Sequence, residues 1–268
     1  MRSLLKTDFK RIFKDKLFKI LLIIGAAFAL FNPLLYKLIF STLEAEEMLG
    51  IAVSGKSLFF SAFLPGDNFG LIIPILIAII ICKDFSHGTV RNKIIMGKSR
   101  ASIFFSMFIS SATVMFAIIL AHAFLTLGIS LIFFDFQADP FTASDFGYMI
   151  ISIFLEMLVY IFISAIVSFL IVAMKNAGLS IVMYVAITFI FTIIGSIVQI
   201  AAMFSDPTGS SYKILEFLQK SNVFMSSVIG DGNSYKFVEI LYILIPTALG
   251  SFIFLFFGNL IFKNKDLK

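Results

Sequence analysis

The stretch GYMIISIFLEMLVYIFISAIVSFLIVAM, from Gly147 to Met174, decides the fold class of this chain. Its side chains are almost all apolar, and it contains a single charged residue, Glu156. About 20 consecutive apolar residues are enough for a helix to cross the hydrocarbon core of a bilayer. The stretch therefore predicts a membrane-spanning helix.

The composition of the whole chain supports the same prediction. Of 268 residues, 60% are hydrophobic, 14% are charged and 35 are Phe, and the mean hydropathy is +1.04. Soluble domains do not have this composition. We expect an all-α polytopic membrane protein whose surroundings are the lipid bilayer, and no nucleic acid partner.

Six segments are long enough to span, within one transmembrane domain that covers residues 1–268. They are residues 17–40, 69–85, 102–134, 147–174, 177–204 and 237–262. The second is the weakest, because its apolar part from Phe69 to Cys82 has only 14 residues. It can span if the helix continues through Lys83 to Phe85, or if LFFSAFL, Leu58 to Leu64, enters the membrane from the other side.

The positions of Lys and Arg predict the orientation. If both termini are cytoplasmic, the outer segments hold only five of the 21 basic residues, namely Lys37, Lys56, Lys213, Lys220 and Lys236, and the other 16 are inside. We expect a multi-pass protein of a bacterial plasma membrane. Residues 205–236 form the long extracellular loop, in which Ile214, Leu215, Leu218, Val223 and Phe224 indicate amphipathic helices.

The stretch GIAVSGKS, Gly50 to Ser57, matches the P-loop pattern GxxxxGK(S/T). A working P-loop lies between a strand and a helix of an α/β domain. This stretch lies in a short outer loop between two spans, where neither the domain nor ATP is expected. We interpret it as a Gly/Ser loop that binds no nucleotide.

Two segments on the cytoplasmic side have helical patterns. Residues 1–16 form a basic amphipathic elbow helix with Leu5, Phe9, Ile12 and Phe13 on its apolar face. In residues 83–100, Ser86 or Thr89 can cap a short helix that Gly97 can end. This basic helix either anchors the topology at lipid headgroups or docks its apolar side into a partner's groove.

The chain resembles the permease subunits of ABC-2 type ABC transporters, which have six transmembrane helices. The resemblance rests on the elbow, the short first outer loop and the loop between the second and third spans. In that loop, family members carry an acidic residue, Gly-Thr, an apolar position and Ser-Arg. Here these positions are Asp84, Gly88-Thr89, Ile94-Ile95 and Ser99-Arg100, with Asp84 in place of the more usual Glu.

The resemblance implies that residues 83–100 contain the coupling helix, seated in a cleft of a separate ATPase subunit. The implied docking residues are Phe85, His87, Thr89, Val90, Arg91, Ile94, Ile95 and Met96. Two ATPase subunits and a second permease copy or paralogue would complete the complex. ATP and Mg²⁺ would bind the ATPase partner, so that this chain is no enzyme by itself and needs no cofactor, metal or catalytic residue.

Polar residues recur at helical spacing within three spans and indicate either a translocation path or subunit seam, or helix packing through small hydroxyl residues. The candidates for the path or seam are Ser152, Glu156, Tyr160, Ser164, Thr188, Thr192 and Gln199. Glu156 is either a structural hydrogen-bonding group or faces a substrate, because a carboxylate inside a span is costly. His122 is its nearest companion by depth. Two His residues are too few for a His metal cluster.

With the resemblance, these features predict an ATP-driven exporter of amphipathic peptides such as toxins or antimicrobial peptides, for export or for self-immunity. Alternatives are a permease for drugs, lipids or ions, and a membrane sensor or assembly subunit that transports nothing. An intramembrane enzyme would need clustered acids, histidines or a nucleophile, and Glu156, His122 and Ser152 are too sparse for one.

Overall fold

A computed structural model of the chain describes residues 1–43, 53–66, 68–137, 141–206, 209–225 and 236–265. The structure is almost entirely helical, and these ranges contain no strand. Six helices are long and apolar enough to cross a membrane. The prediction of an all-α, six-span membrane protein is confirmed.

We number the helices of the described ranges in chain order. They are α1 (Arg2–Lys14), α2 (Lys16–Leu43), α3 (Gly55–Ser61), α4 (Asn68–Ser86), α5 (Thr89–Ile95), α6 (Arg100–Phe133), α7 (Ala143–Met174), α8 (Ala177–Met203), α9 (Ser210–Lys220) and α10 (Phe237–Asn264). The six candidate spans are α2, α4, α6, α7, α8 and α10.

Helix α7 lies at the centre of the bundle. It packs against α4, α6, α8 and most extensively α10, and it is the most buried of the six spans. Its first turn starts at Ala143, four residues before the predicted start, because Thr142 and Asp145 form a capping box. Helices α2, α8 and α10 lie at the periphery and expose many apolar side chains, as expected of helices that face lipid.

Close packing of α7 against α10 depends on glycine. A Cβ at Gly250 of α10 would clash with the ring of Phe162 on α7, and one at Gly258 would meet the ring of Phe104 and the backbone of Phe169. Small residues at helix contacts let two membrane helices approach closely. The α7–α10 contact therefore has little room for a larger side chain.

We expect Gly250→Ala to destabilise the protein by about 1–3 kcal/mol relative to Gly128→Ala, because overpacking forces neighbours to move. Gly128 of α6 is the matched control, since nothing lies within 4 Å of a Cβ built there. Thermal unfolding in detergent measures both variants. Equal unfolding temperatures would contradict the close approach at Gly250.

The second span, α4, is longer at its C-terminal end than its apolar part, and the short helix α3 lies before its N-terminal end in the chain. Helix α4 continues through Lys83 to Ser86, which is the first of the two predicted solutions. The short α3 also packs into the bundle against α6, and its Leu58, Phe59 and Phe60 are buried. The extension lengthens the second span, and α3 adds buried apolar side chains beside α6.

The segment that follows α9 also enters the bundle. Val223 and Phe224 are buried, as is Asn222, whose Nδ2 donates to the carbonyl oxygen of Phe191 on α8 at 2.7 Å. A Cβ at Gly195 would clash with the Asn222 side chain, so glycine permits this approach. The predicted amphipathic pattern in this loop includes α9, on which Ile214 and Leu218 are exposed, in contrast to the buried Val223 and Phe224.

The two ends of the bundle differ in charge. One end, which we call the basic end, carries α1, α5, the turn at Lys175 and the C-terminal end of α10. The other, which we call the opposite end, carries α3 and α9. At the basic end, Arg100 donates to the carbonyls of Phe262, Lys263 and Lys265. Lys265 donates in turn to the carbonyls of Val172 and Ala173. Basic side chains thus bind the unpaired C-terminal carbonyls of α7 and α10, as helix electrostatics favours.

Candidate functional site at the basic end of the bundle

The short helix α5 is tied to its neighbours by a buried lysine. Lys93 is almost fully buried, and its Nζ lies 2.6 Å from Oδ1 of Asp8 on α1. The same Nζ lies 3.7 Å from Oδ2 of Asp84 near the end of α4. One ammonium group therefore joins α5 to both α1 and α4.

Further ion pairs extend this contact. Arg11 of α1 pairs with Asp84, and Ser106 of α6 donates to Oδ2 of Asp8 at 2.6 Å. Lys83 of α4 lies 2.7 Å from Oδ2 of Asp15, just after α1. We call Asp8, Arg11, Asp84 and Lys93 the ion-pair cluster; it holds α1, α4 and α5 together, and α6 contacts it through Ser106.

Arg11 in the ion-pair cluster and Asp15 beside it have shifted pKa values. Burial lowers the pKa of the Arg11 guanidinium, and the charges of Asp8 and Asp15 oppose the shift. Burial acts to raise the pKa of Asp15, but the hydrogen bonds from Lys83 and from the Leu17 amide and the nearby positive charges outweigh it, so this pKa is lowered. Asp15 therefore stays ionised beside Lys83 at neutral pH.

Helix α1 buries one side against the bundle. The buried residues are Leu4, Asp8 and Ile12, at four-residue spacing, whereas Phe13 is exposed. Asp8, to which the sequence analysis gave no role, binds Lys93. The sequence did contain a signal for this contact, because Asp8 has the same helical spacing as the apolar residues Leu4 and Ile12.

The ends of α5 depend on two glycines. Gly88 has φ +68° and is the residue before the helix, and Gly97 has φ +78° just after it. The predicted ending at Gly97 is confirmed: the Gly97 amide donates to Ile94 O and the Lys98 amide to Lys93 O. The predicted cap at Ser86 or Thr89 is wrong, because Ser86 still belongs to α4 and Thr89 is the first residue of α5.

The exposed tip of α5 is apolar. Ile95 is 72% exposed and Met96 is 67% exposed, and His87, Arg91 and Lys98 nearby are exposed as well. We call Ile95 and Met96 the apolar tip. A rigidly held pair of large apolar side chains with basic neighbours is typical of a surface that enters a partner's pocket.

Not every predicted docking residue faces outward. Val90 is only 2% exposed and packs in the core, so we correct its assignment: it lies three residues before Lys93 and shares the inward face of α5. Three others are half-buried, namely Phe85, Thr89 and Ile94. The outward set is therefore His87, Arg91, Ile95 and Met96.

The described part of the stretch that matches the P-loop pattern forms hydrogen bonds and an ion pair at the opposite end of the bundle. The amides of Gly55 and Lys56 donate to the carbonyls of Asp135 and Phe136, both at 2.9 Å, and Nζ of Lys56 lies 2.8 Å from Oδ1 of Asp145. Ser57 forms a capping box with Ser54. The groups that would hold a phosphate are occupied; Gly50 to Ala52, the start of the match, lie outside the described residues.

We therefore expect Lys56→Met to change stability and to leave nucleotide binding unchanged. The loss of the hydrogen-bonded charge partner of Asp145 lowers the stability of the fold. Thermal unfolding measures this loss, with the exposed Lys213→Met as the control. Photo-crosslinking with labelled ATP should show no saturable binding for wild type; binding that Lys56→Met abolishes would contradict our interpretation.

The predicted path residues do not form one surface. Ser152, Glu156, Tyr160 and Ser164 are all buried within the chain along α7, so in this structure they do not form a seam between subunits. Gln199 of α8 is exposed and lies apart from them. On α8, the hydroxyls of Thr188 and Thr192 bond to carbonyls one turn earlier.

Two of the serines on α7 have clear packing roles. Oγ of Ser164 lies 2.5 Å from Oγ of Ser111 on α6, and it also donates to the carbonyl of Phe108 at 3.1 Å. Ser152 donates to the carbonyl of Tyr148 at 2.9 Å. For these residues the helix-packing interpretation describes the contacts.

Glu156 differs from the serines, because neither of its carboxylate oxygens has a hydrogen-bond partner among the described residues. The hydroxyls of Tyr160 on α7 and Tyr184 on α8 are also buried without a partner there. Tyr160 lies one helical turn from Glu156 on α7, and α7 packs against α8, which carries Tyr184. The interior thus contains a polar group of three side chains that the described part of the chain leaves unsatisfied.

His122 is not the partner of Glu156. Its Nδ1 lies 3.0 Å from the carbonyl oxygen of Gly25, and its ring packs on Phe69 with 4.7 Å between centroids. It borders a cavity of about 50 Å³ that Asn32 and Thr126 also line. Within the ranges that the structure describes, no three His, Cys, Asp or Glu side chains are grouped to hold a metal ion.

Comparison with known proteins gives a family without an assigned activity. The model of the family described as "Protein of unknown function (DUF2705)" matches residues 20–268. No curated protein matches the chain.

Proposed function

Because the chain belongs to the DUF2705 family, whose function is unknown, we propose a function from the geometry of the basic end: the chain is the permease subunit of an ABC-2 type ABC transporter. In this proposal α5 is the coupling helix, and its apolar tip enters a cleft of a separate ATPase subunit. One observation carries the proposal: Ile95 and Met96 are exposed on a helix that a buried ion pair holds in place.

The distribution of charge supports the orientation that this function needs. With the basic end in the cytoplasm, 16 of the 21 Lys and Arg residues lie inside, as the positive-inside rule requires. Both termini and α5 then face the compartment that contains ATP, in the plasma membrane of a bacterium. ATP and Mg²⁺ bind the ATPase partner, and this chain supplies no catalytic residue.

The ion-pair cluster supplies a physical route for coupling. A displacement of α5 on ATP hydrolysis acts on α1 and α4 through Lys93, and Asp8 passes it to α6 through Ser106. Two ATPase subunits and a second permease copy or paralogue complete the complex, and rocking between inward and outward states moves the substrate. Apolar spans rich in Phe favour an amphipathic peptide such as a toxin or antimicrobial peptide as the exported molecule.

The proposal is tested by purifying the tagged chain from its native membrane and identifying any ABC ATPase subunit that co-purifies with it. We expect a stable complex that hydrolyses ATP and that lowers the sensitivity of cells to an amphipathic peptide. A chain that forms no complex with an ATPase would overturn the proposal. A complex that hydrolyses ATP but moves no peptide, drug, lipid or ion would favour a sensor or assembly subunit.

A further inference from the structure

Glu156 lies deep within the bundle. It is 0% exposed, and it follows the first residue of α7, Ala143, by 13 positions, about 20 Å at the helical rise. A carboxylate at this depth is costly, and such residues usually mark a partner or a pathway.

Neither protonation state of Glu156 is satisfied by the described residues. An ionised carboxylate needs donors or a cation, and a protonated carboxyl group still needs an acceptor for its proton. Both oxygens are buried and without a partner there. A water molecule could supply a hydrogen bond, but it would not balance a buried charge.

The basic residues that border α7 are remote or already paired. Lys56 binds Asp145, which precedes Glu156 by 11 positions, about 17 Å along the helix. Lys265 binds the carbonyls at the far end of α7. A cation that meets Glu156 must therefore come from outside the described part of the chain.

The neighbours of Glu156 suit a cationic group. Tyr160, one turn further along α7, and Tyr184 of α8 offer unpaired hydroxyl oxygens as acceptors and aromatic faces that attract cations. Together with a carboxylate, these groups match an ammonium or a guanidinium, which needs both a counter-charge and hydrogen-bond acceptors.

We propose that Glu156, Tyr160 and Tyr184 bind a monovalent cationic group, an ammonium or a guanidinium, that is carried by the transported molecule. This inference rests on the proposed transport function and makes it more specific: the substrate is cationic. Since the three side chains are fully enclosed, the group reaches them when the bundle opens by thermal motion, which needs no ATPase.

Binding of hexylammonium to the purified full chain tests the site, with hexanol as the uncharged probe of matched size. Isothermal titration calorimetry of the detergent-solubilised protein measures the affinity for each probe. We expect a saturable change with hexylammonium in wild type and at least tenfold weaker binding in Glu156→Gln. Glu216→Gln on α9 at the opposite end is the matched control and should bind as wild type does.

Two results would overturn the site: equal affinity of wild type and Glu156→Gln for hexylammonium, or the same response to hexanol as to hexylammonium. A Glu156-dependent response to sodium or potassium ions alone would overturn the assignment to the transported molecule. Tyr160→Phe should weaken hexylammonium binding about threefold, which keeps the test open if Glu156→Gln does not fold. Binding is measured without an ATPase, so a failure of α5 docking would leave this result unchanged.

Discussion

Replacing Lys93 by Met is expected to destabilise the protein by about 3–5 kcal/mol, because removing one partner of a buried ion pair leaves uncompensated buried charge. Asp8 would lose its cation at 2.6 Å and Asp84 would keep only Arg11. Both carboxylates are about 1% exposed, so water cannot replace the lysine. Denaturant unfolding of the purified protein measures the loss of free energy.

The matched control is Lys98→Met in the same loop, where the side chain is exposed and the expected change is under about 0.5 kcal/mol. Adding Asp8→Asn to Lys93→Met should recover much of the loss, since the second change removes the charge that the first left unpaired. If Lys93→Met unfolds like Lys98→Met, the ion-pair cluster does not hold α1, α4 and α5 together.

Replacing both residues of the apolar tip by Asp should weaken binding of the ATPase subunit at least 100-fold, about 2.7 kcal/mol. Buried apolar anchors carry much of the energy of such interfaces, and a carboxylate in their pocket is desolvated without a partner. Because Ile95 and Met96 are exposed in the free chain, the change should leave the fold intact. Titration of the permease in nanodiscs with purified ATPase subunit measures the affinity.

The matched control carries the same charge change at the opposite end, with Ile214→Asp and Leu218→Asp on the exposed face of α9. It should bind the ATPase subunit as wild type does. Both double variants should unfold at the wild-type temperature. Unchanged affinity of the Ile95→Asp, Met96→Asp variant would remove α5 from the proposed interface.

The six spans could be predicted from the sequence because length and hydropathy decide whether a helix crosses a membrane. The second span shows the limit of that rule. Its apolar part is short; the helix continues to Ser86, as the first alternative predicted, and α3 packs beside α6. The packing of α3 depends on tertiary contacts that periodicity does not encode.

The inward faces of α1 and α5 could not be predicted from apolar spacing alone. Asp8 and Lys93 are separated by 85 positions, and their pairing turns α1 so that Leu4 and Ile12 face inward and Phe13 outward. Val90, which the resemblance implied as a docking residue, is buried on the same side of α5 as Lys93. A long-range ion pair thus accompanies both helix orientations, and helical periodicity alone does not reveal it.

The P-loop match and Glu156 show that a sequence motif and a functional site need not coincide. Gly55, Lys56 and Ser57 fit the nucleotide pattern, yet their groups bond to Asp135, Phe136, Asp145 and Ser54. Glu156 belongs to no motif, and only the burial of its two oxygens without a described partner marks it as a site. Bonding partners, which the sequence does not list, separate the two cases.

Site-specific cross-linking at Met96 tests the coupling proposal most directly. The native Cys82 is buried, at 3% exposed, so a cysteine introduced by Met96→Cys is the accessible thiol at this end of the described chain. With a short thiol-reactive cross-linker, we predict a covalent adduct between this residue and the ATPase subunit, and none for Leu218→Cys on α9. No adduct at Met96 in a membrane where the two proteins are both present, or an equal yield at Leu218, would contradict the proposal that α5 couples this permease to ATP hydrolysis.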